Sequence, residues 1–323
     1  MSTAAPAGAA PHRLTPAHYE PARVPASVRR LAGRPEALGV GRPGKVGLLE
    51  LGFERIGART ELVTRYQKSP LQIMRPLHFD PERPDLAITY LMSTGGGIVQ
   101  ADRLRMDLDC GPGSAVHLTT QAATKIHRMD ADYATQLVHL SAAEDSYVEY
   151  LPEPTIPYRD SRFYQRTVIT AAPSATVLAG ETVLAGRLAH GERNAYQVFA
   201  ADLEWRRPDP SGSGSRLFAL DTVRLEPGTS GVTGPAVLAA QDLVSTFYAV
   251  TPLAPAAAVA DALHDALAGS GLLYGVSVLP SDSGAWLRVL GGDSPAVAAA
   301  VRRAWDAVRR LLIGVPAPAM RKT

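Results

Sequence analysis

A chain of 323 residues with 46% hydrophobic and 20% charged content has an ordinary globular composition, which excludes disordered and fibrous classes. At this length about 75% of the unfolded surface can be buried, so neither disulfides nor a structural metal is needed to hold a core. Thirty-three basic against thirty-one acidic residues leave a formal charge of +2, too balanced to predict a nucleic-acid or anionic-membrane partner. The single cysteine, Cys110, rules out an internal disulfide and any multi-cysteine metal site within one copy.

In chain order, residues 1–44 are rich in Ala, Pro, Gly and Arg and lack aliphatic periodicity, so they read as a flexible extension outside the fold. Arg13, Arg23, Arg29, Arg30, Arg34 and Arg42 fit a solvated tail, with steering of an acidic partner as the alternative. The N-terminus lacks a signal peptide's apolar segment, and no stretch reaches the roughly 18 to 20 apolar residues of a membrane span. A cytoplasmic location without membrane contact is the expectation.

From residue 45 to about 250 the chain alternates apolar and polar residues in short runs separated by turn formers, the pattern of antiparallel strands with one buried face. The runs are Leu48 to Ile56, Glu61 to Gln67, Leu86 to Met92, Leu104 to Cys110, Val116 to Gln121, Thr135 to Ser141, Ser146 to Leu151, Tyr164 to Thr170, Gln197 to Trp205 and Leu217 to Leu225. Gly111-Pro112-Gly113 joins two of them as a hairpin, and Pro208 to Ser215 reads as an exposed loop. No repeat of fixed period is visible. Stacked or rolled antiparallel sheets in an elongated, mainly β (α+β) body are therefore expected.

Residues 251–315 change character to a helix-hairpin-helix part. Val259, Leu263 and Leu267 mark one amphipathic helix. Two strand-like runs, Leu272 to Leu279 and Trp286 to Leu290, follow it around a turn. A final helix opens with Ser294 as N-cap and Pro295 at N1, shows Val297, Val301, Trp305, Val308 and Leu312 on one face, and stops at Gly314. Arg302, Arg303, Arg309 and Arg310 lie off that stripe and read as a charged outer face.

Motifs for chemistry are sparse. Ser93 to Asp102 carries Gly95-Gly96-Gly97, but no Lys-Ser/Thr follows as in a nucleotide loop, so a tight turn is the expected role. There is no Gly-x-Ser-x-Gly elbow. His117, His127 and His139 are too widely spaced for a paired metal motif. Asp102, Glu149, Glu153, Glu181 and Glu192 fall inside dense polar, glycine and proline motifs. Pro152, Pro154 and Pro157 remove three backbone donors and force a rigid elbow after the strand that ends in Glu149 and Tyr150. Glu181, Arg187 and Glu192 are spaced for a Glu–Arg–Glu network, and structural ion pairing explains them equally well.

Four motifs in order then resemble the UreD (UreH) family of urease accessory proteins. They are Gly96-Gly97-Ile98-Val99 with Asp102-Arg103-Leu104, Leu118 to Lys125, Glu149 to Pro157, and Gly186-Arg187 with Gly191-Glu192. The match is close over about a hundred residues and looser over 45–323. The chain departs from the family at Gln100 and Ala101, where glycines usually precede the aspartate. The resemblance implies a non-catalytic maturation scaffold that binds urease apoprotein with UreF and the GTPase UreG. It implies no tightly bound cofactor, with nickel in transit to the dinuclear site. Asp102, Glu149, Glu181 and Glu192 become nickel-path candidates, with Gly96, Gly97, Lys125, Tyr150, Pro152, Arg187 and Gly191 as their structural support. A metal-independent adaptor that recruits a GTPase, or a hydrolase whose residues converge only in three dimensions, are the alternatives.

Overall fold

The computed structural model describes residues 11–33, 44–209, 214–229 and 231–320. The chain winds back and forth between two facing sheets. β1 (Val46–Ile56) and β2 (Arg59–Lys68) form an antiparallel pair, and β3 (Leu71–Gln72) leads to β4 (Ala87–Ser93). The coils then run through β5 (Arg103–Cys110), β6 (Ala115–Thr120), β7 (Thr124–Ile126), β8 (Ala134–Ala142), β9 (Tyr147–Tyr150), β10 (Thr155–Pro157), β11 (Arg162–Ala171), β12 (Thr176–Leu184) and β13 (Val198–Pro208). β14 (Ser215–Leu225) ends the first sheet, and β15 (Leu243–Val250) joins the second beside β12. One sheet has the order β14-β13-β11-β8-β5-β1-β2. The other contains β15-β12-β9-β6-β4-β3.

The mainly β class and the stacked sheets are as expected, but the strand direction is not. β1, β5, β8, β11 and β13 pair in parallel, as do β4, β6, β9 and β12, while antiparallel pairs occur toward the ends. This is a β-solenoid-like stack of coils. Gly111-Pro112-Gly113 is accordingly a corner between the sheets and not a hairpin, since β5 and β6 belong to different sheets. Alternation along a strand reports a buried face and is blind to the direction of the neighbour, which is why the two arrangements look alike in sequence.

The core between the sheets is aliphatic and aromatic, with Leu49, Leu108, Val138, Phe163, Phe199 and Trp205 among its buried members. The outer face of the second sheet is buried as well, under α2 (Ala256–Leu267) and α3 (Ser294–Ile313). β16 (Leu273–Val278) and β17 (Gly284–Gly291) lie between these helices in sequence and pair antiparallel, with β17 against β15. Val259, Leu263 and Leu267 of α2 are buried, as their spacing predicts. In α3 the N-cap is Asp293 and not Ser294, because the Asp293 carboxylate accepts the Ala296 N–H at 2.9 Å. Gly314 ends the helix at φ +74°, as expected.

The N-terminal region differs from the expected free tail over residues 11–33. Two 3-10 turns and the short α1 (Ala26–Arg29) pack on the first sheet, burying Tyr19 and Val28. Arg103 bridges back to Glu20, and Arg105 donates to the His18 carbonyl at 2.8 Å. Arg34 and Arg42 lie outside the described residues, as does most of the loop between Pro208 and Ser215, two residues that pair across β13 and β14.

Candidate functional site

Three strands place amides and a carboxylate on the face that looks between the sheets. Gln136 on β8 donates from Nε2 to Gln165 Oε1 on β11 at 3.3 Å, and Gln165 Nε2 donates to Glu181 Oε1 on β12 at 2.9 Å. These three line a cavity of about 220 Å³, together with Leu104, Met106, Tyr150 and Thr182. Polar side chains here interrupt a core that is otherwise apolar, and each must find a partner or water to offset desolvation. Burial pushes the Glu181 carboxyl up to about 7; the nearby Asp221 adds to the rise and Arg288 opposes it. Asp221 itself accepts from the Tyr248 hydroxyl and from Arg288.

A second cavity of about 590 Å³ lies between the outer face of this sheet and α3, bounded by His117, Leu243, Val297 and Trp305. Pro152, Glu153, Glu181 and Thr182 line both cavities, so they form a shared wall.

Five of the seven expected support residues, Gly96, Gly97, Lys125, Tyr150 and Pro152, line the same cavity as Glu181. A Cβ on Gly97 would sit 2.6 Å from the Lys125 carbonyl and from His127 Nε2, and its φ of +148° excludes other residues, so the glycine lets two segments of the cavity wall meet. Residues Thr120 to Lys125, the C-terminal part of the second motif, form another part of that wall.

The remaining candidates are placed elsewhere. Asp102 is buried and ties a turn together, accepting from the Lys45 and Val99 N–H groups at 2.8 and 3.0 Å; burial raises its pKa despite these bonds. Glu192 pairs with Arg187 and accepts the Arg159 N–H, which holds its carboxyl down to about 2. Gly191 completes that loop at φ +69°. Arg187 pairs with Glu192 while Glu181 bonds to Gln165, so the three do not form a Glu–Arg–Glu network. Neither Asp102 nor Glu192 lines either cavity.

Glu149 is fully buried at the center of a second polar cluster under α3. Tyr147 donates to its Oε1 at 2.7 Å, Trp305 Nε1 at 3.0 Å and Arg309 at 3.3 Å, while His117 Nδ1 lies 2.6 Å from Oε2. Arg309 also donates to Asp80 at 2.7 Å. Burial drives the Glu149 pKa up, but the His117 hydrogen bond and the charges of His117 and Arg309 more than offset it and hold the carboxyl below its usual value. Arg309 is therefore not on the charged outer face assigned from its position beside the apolar stripe. It is 0% exposed and joins the last helix to the sheet. Its four-residue spacing from Trp305 is the sequence signal that places both on one face.

Gln100 and Ala101 each have a structural account. Gln100 Oε1 accepts the N–H groups of Asp130 and Ala131 at 2.8 and 2.6 Å, fixing the facing loop. Ala101 adopts φ +61°, the left-handed region that suits glycine, at a cost of about 1 kcal/mol. Cys110 is buried and its thiol is pushed up, the state of an inert core cysteine.

Fold and cavities together define a β-solenoid-like protein with a cavity between its sheets, bordered by a few polar side chains, and a helical cover on one face. The UreD urease accessory protein model matches residues 45–323. The chain is 60% identical to urease accessory protein UreD 2 of Streptomyces griseus over 90% of its own length and 99% of that protein. It is 38% identical to UreD 3 of Methylorubrum populi, covering 91% and 95% of the two chains. It is 34% identical to UreD 2 of Brucella suis, covering 88% and 93%. The chain belongs to the UreD family of urease accessory proteins.

Proposed function

We propose that this protein acts in the cytoplasm as a non-catalytic scaffold in urease maturation, holding urease apoprotein together with UreF and the GTPase UreG while nickel passes to the dinuclear site. Family membership carries the maturation reading, and the cavity bordered by Glu181 supports the nickel reading. A passage for an ion needs ligands that bind and release it. Two neutral amides and one carboxylate that titrates near neutrality supply weak oxygen donors, unlike the closed multidentate sets of structural metal sites. Among the four carboxylates considered, Glu181 is the one we assign to the path. Asp102 and Glu192 serve their own turns, and Glu149 holds α3 in place. Among the described residues no helix is long and apolar enough to cross a membrane.

Affinity capture tests the scaffold reading. When the tagged chain is co-expressed with UreF, UreG and the urease subunits, all of them are expected to elute together in fixed proportion. Recovery of the chain alone, folded and soluble, would refute the scaffold.

A further inference from the structure

The N-terminal segment carries a cluster that the maturation reading does not use. Thr15 N–H donates to the His12 carbonyl and His18 N–H to the Thr15 carbonyl, each at 3.0 Å. These i to i+3 bonds bring residues spaced by multiples of three to one side, so His12 and His18 face each other with ring centroids 4.7 Å apart. The segment is clipped down by the buried Tyr19, whose hydroxyl donates to the Arg13 carbonyl at 2.7 Å, and by Arg105 on the His18 carbonyl. This delivers both imidazoles to Glu50 on β1.

One ligand nitrogen from each histidine and one Glu50 oxygen all lie within 4.8 Å of one another. Ligands of one ion at about 2.0 to 2.2 Å stand no more than about 4.4 Å apart, so a ring shift well below 1 Å closes the set. The buried His18 Nε2 has no hydrogen-bond partner. Arg13 Nε donates to Glu50 Oε2 at 2.8 Å, which leaves Oε1 beside His12 Nε2 at 3.0 Å and orients the carboxylate as an outer partner of a metal ligand does. The second nearby guanidinium, Arg105, is already paired with Asp107 through both of its oxygens.

We propose that His12, His18 and Glu50 form a site for a borderline divalent ion such as Ni²⁺ or Zn²⁺, with binding that fastens the N-terminal segment to the first sheet. Imidazole and carboxylate are the donors such ions take, and three protein ligands leave positions for exchange. The site is separate from the cavity bordered by Glu181, and the inference stands or falls independently of the maturation reading.

The test is calorimetric titration of the full chain with Ni²⁺ alone and with Zn²⁺ alone, alongside His12→Ala, His18→Ala and Glu181→Gln. The expected result is a site in the parent chain and in Glu181→Gln whose affinity falls at least about ten-fold in each histidine variant. Added Ni²⁺ should also slow amide exchange over residues 12–20 in the parent chain and not in His18→Ala. Unchanged affinity in both histidine variants, a site lost only in Glu181→Gln, or no binding by the parent chain would overturn the proposal.

Discussion

Arg309→Ala is expected to destabilise the protein by about 3 to 5 kcal/mol, because it leaves two buried carboxylates without the cation they share. Asp80 and Glu149 are 229 and 160 residues from Arg309 in sequence, so the loss cuts the contact of the last helix with β9 and with the segment between β3 and β4. Arg309→Lys should recover little, since a point charge cannot span two carboxylates as a planar guanidinium does. Urea unfolding followed by tryptophan fluorescence checks both variants. A midpoint for Arg309→Ala equal to that of the parent chain would show that the cluster does not hold the helix.

Glu181→Gln should have the opposite sign, and its effect should depend on pH. The carboxyl titrates near 7 in the folded protein against an ordinary 4.5, so the folded state favours the protonated form. Below about 4.5 folded and unfolded chains are both protonated and no penalty exists. As the pH rises to about 7 the unfolded chain ionises first, stability falls, and above 7 the loss levels off at roughly 3 kcal/mol. Gln cannot ionise and keeps an oxygen for Gln165. The variant should thus be more stable than the parent at pH ~8 and nearly equal at pH ~4.5, while losing the acidic donor of the path. A stability difference of the same size at both pH values would contradict the assignment of the raised carboxyl to Glu181.

Strands with one buried face were legible in the sequence because alternation reports exactly that condition. β12 and β15 were not, since the chain there is covered on both sides; β15 is buried at all eight positions and shows no alternation. The coil repeat was hidden by its variable length. Ala87 pairs with Val116, 29 residues later, Ala115 with Tyr147, 32 later, and Arg162 with Val198, 36 later. A parallel stack tolerates corners of different size, so its repeat survives in space without a fixed period in sequence.

At the candidate site, the glycine motif and the Leu118 to Lys125 motif pointed to the cavity wall. Gln136, Gln165 and Asp221 carry no local signal, because each is one polar residue among several in its strand. Arg309 looks like a charged outer-face residue for a related reason. Its carboxylate partners lie 160 and 229 residues away, and only the packing of α3 on the second sheet brings it to Glu149, which His117 already faces across β6 and β9.

The most direct test of the account is the nickel content and activity of urease purified from cells that express the structural subunits, UreF and UreG, with and without this chain. Nickel-loaded, active urease is expected only when the chain is present, with restoration on adding it back. Equal nickel and activity in both preparations, with the chain present as soluble protein, would contradict it.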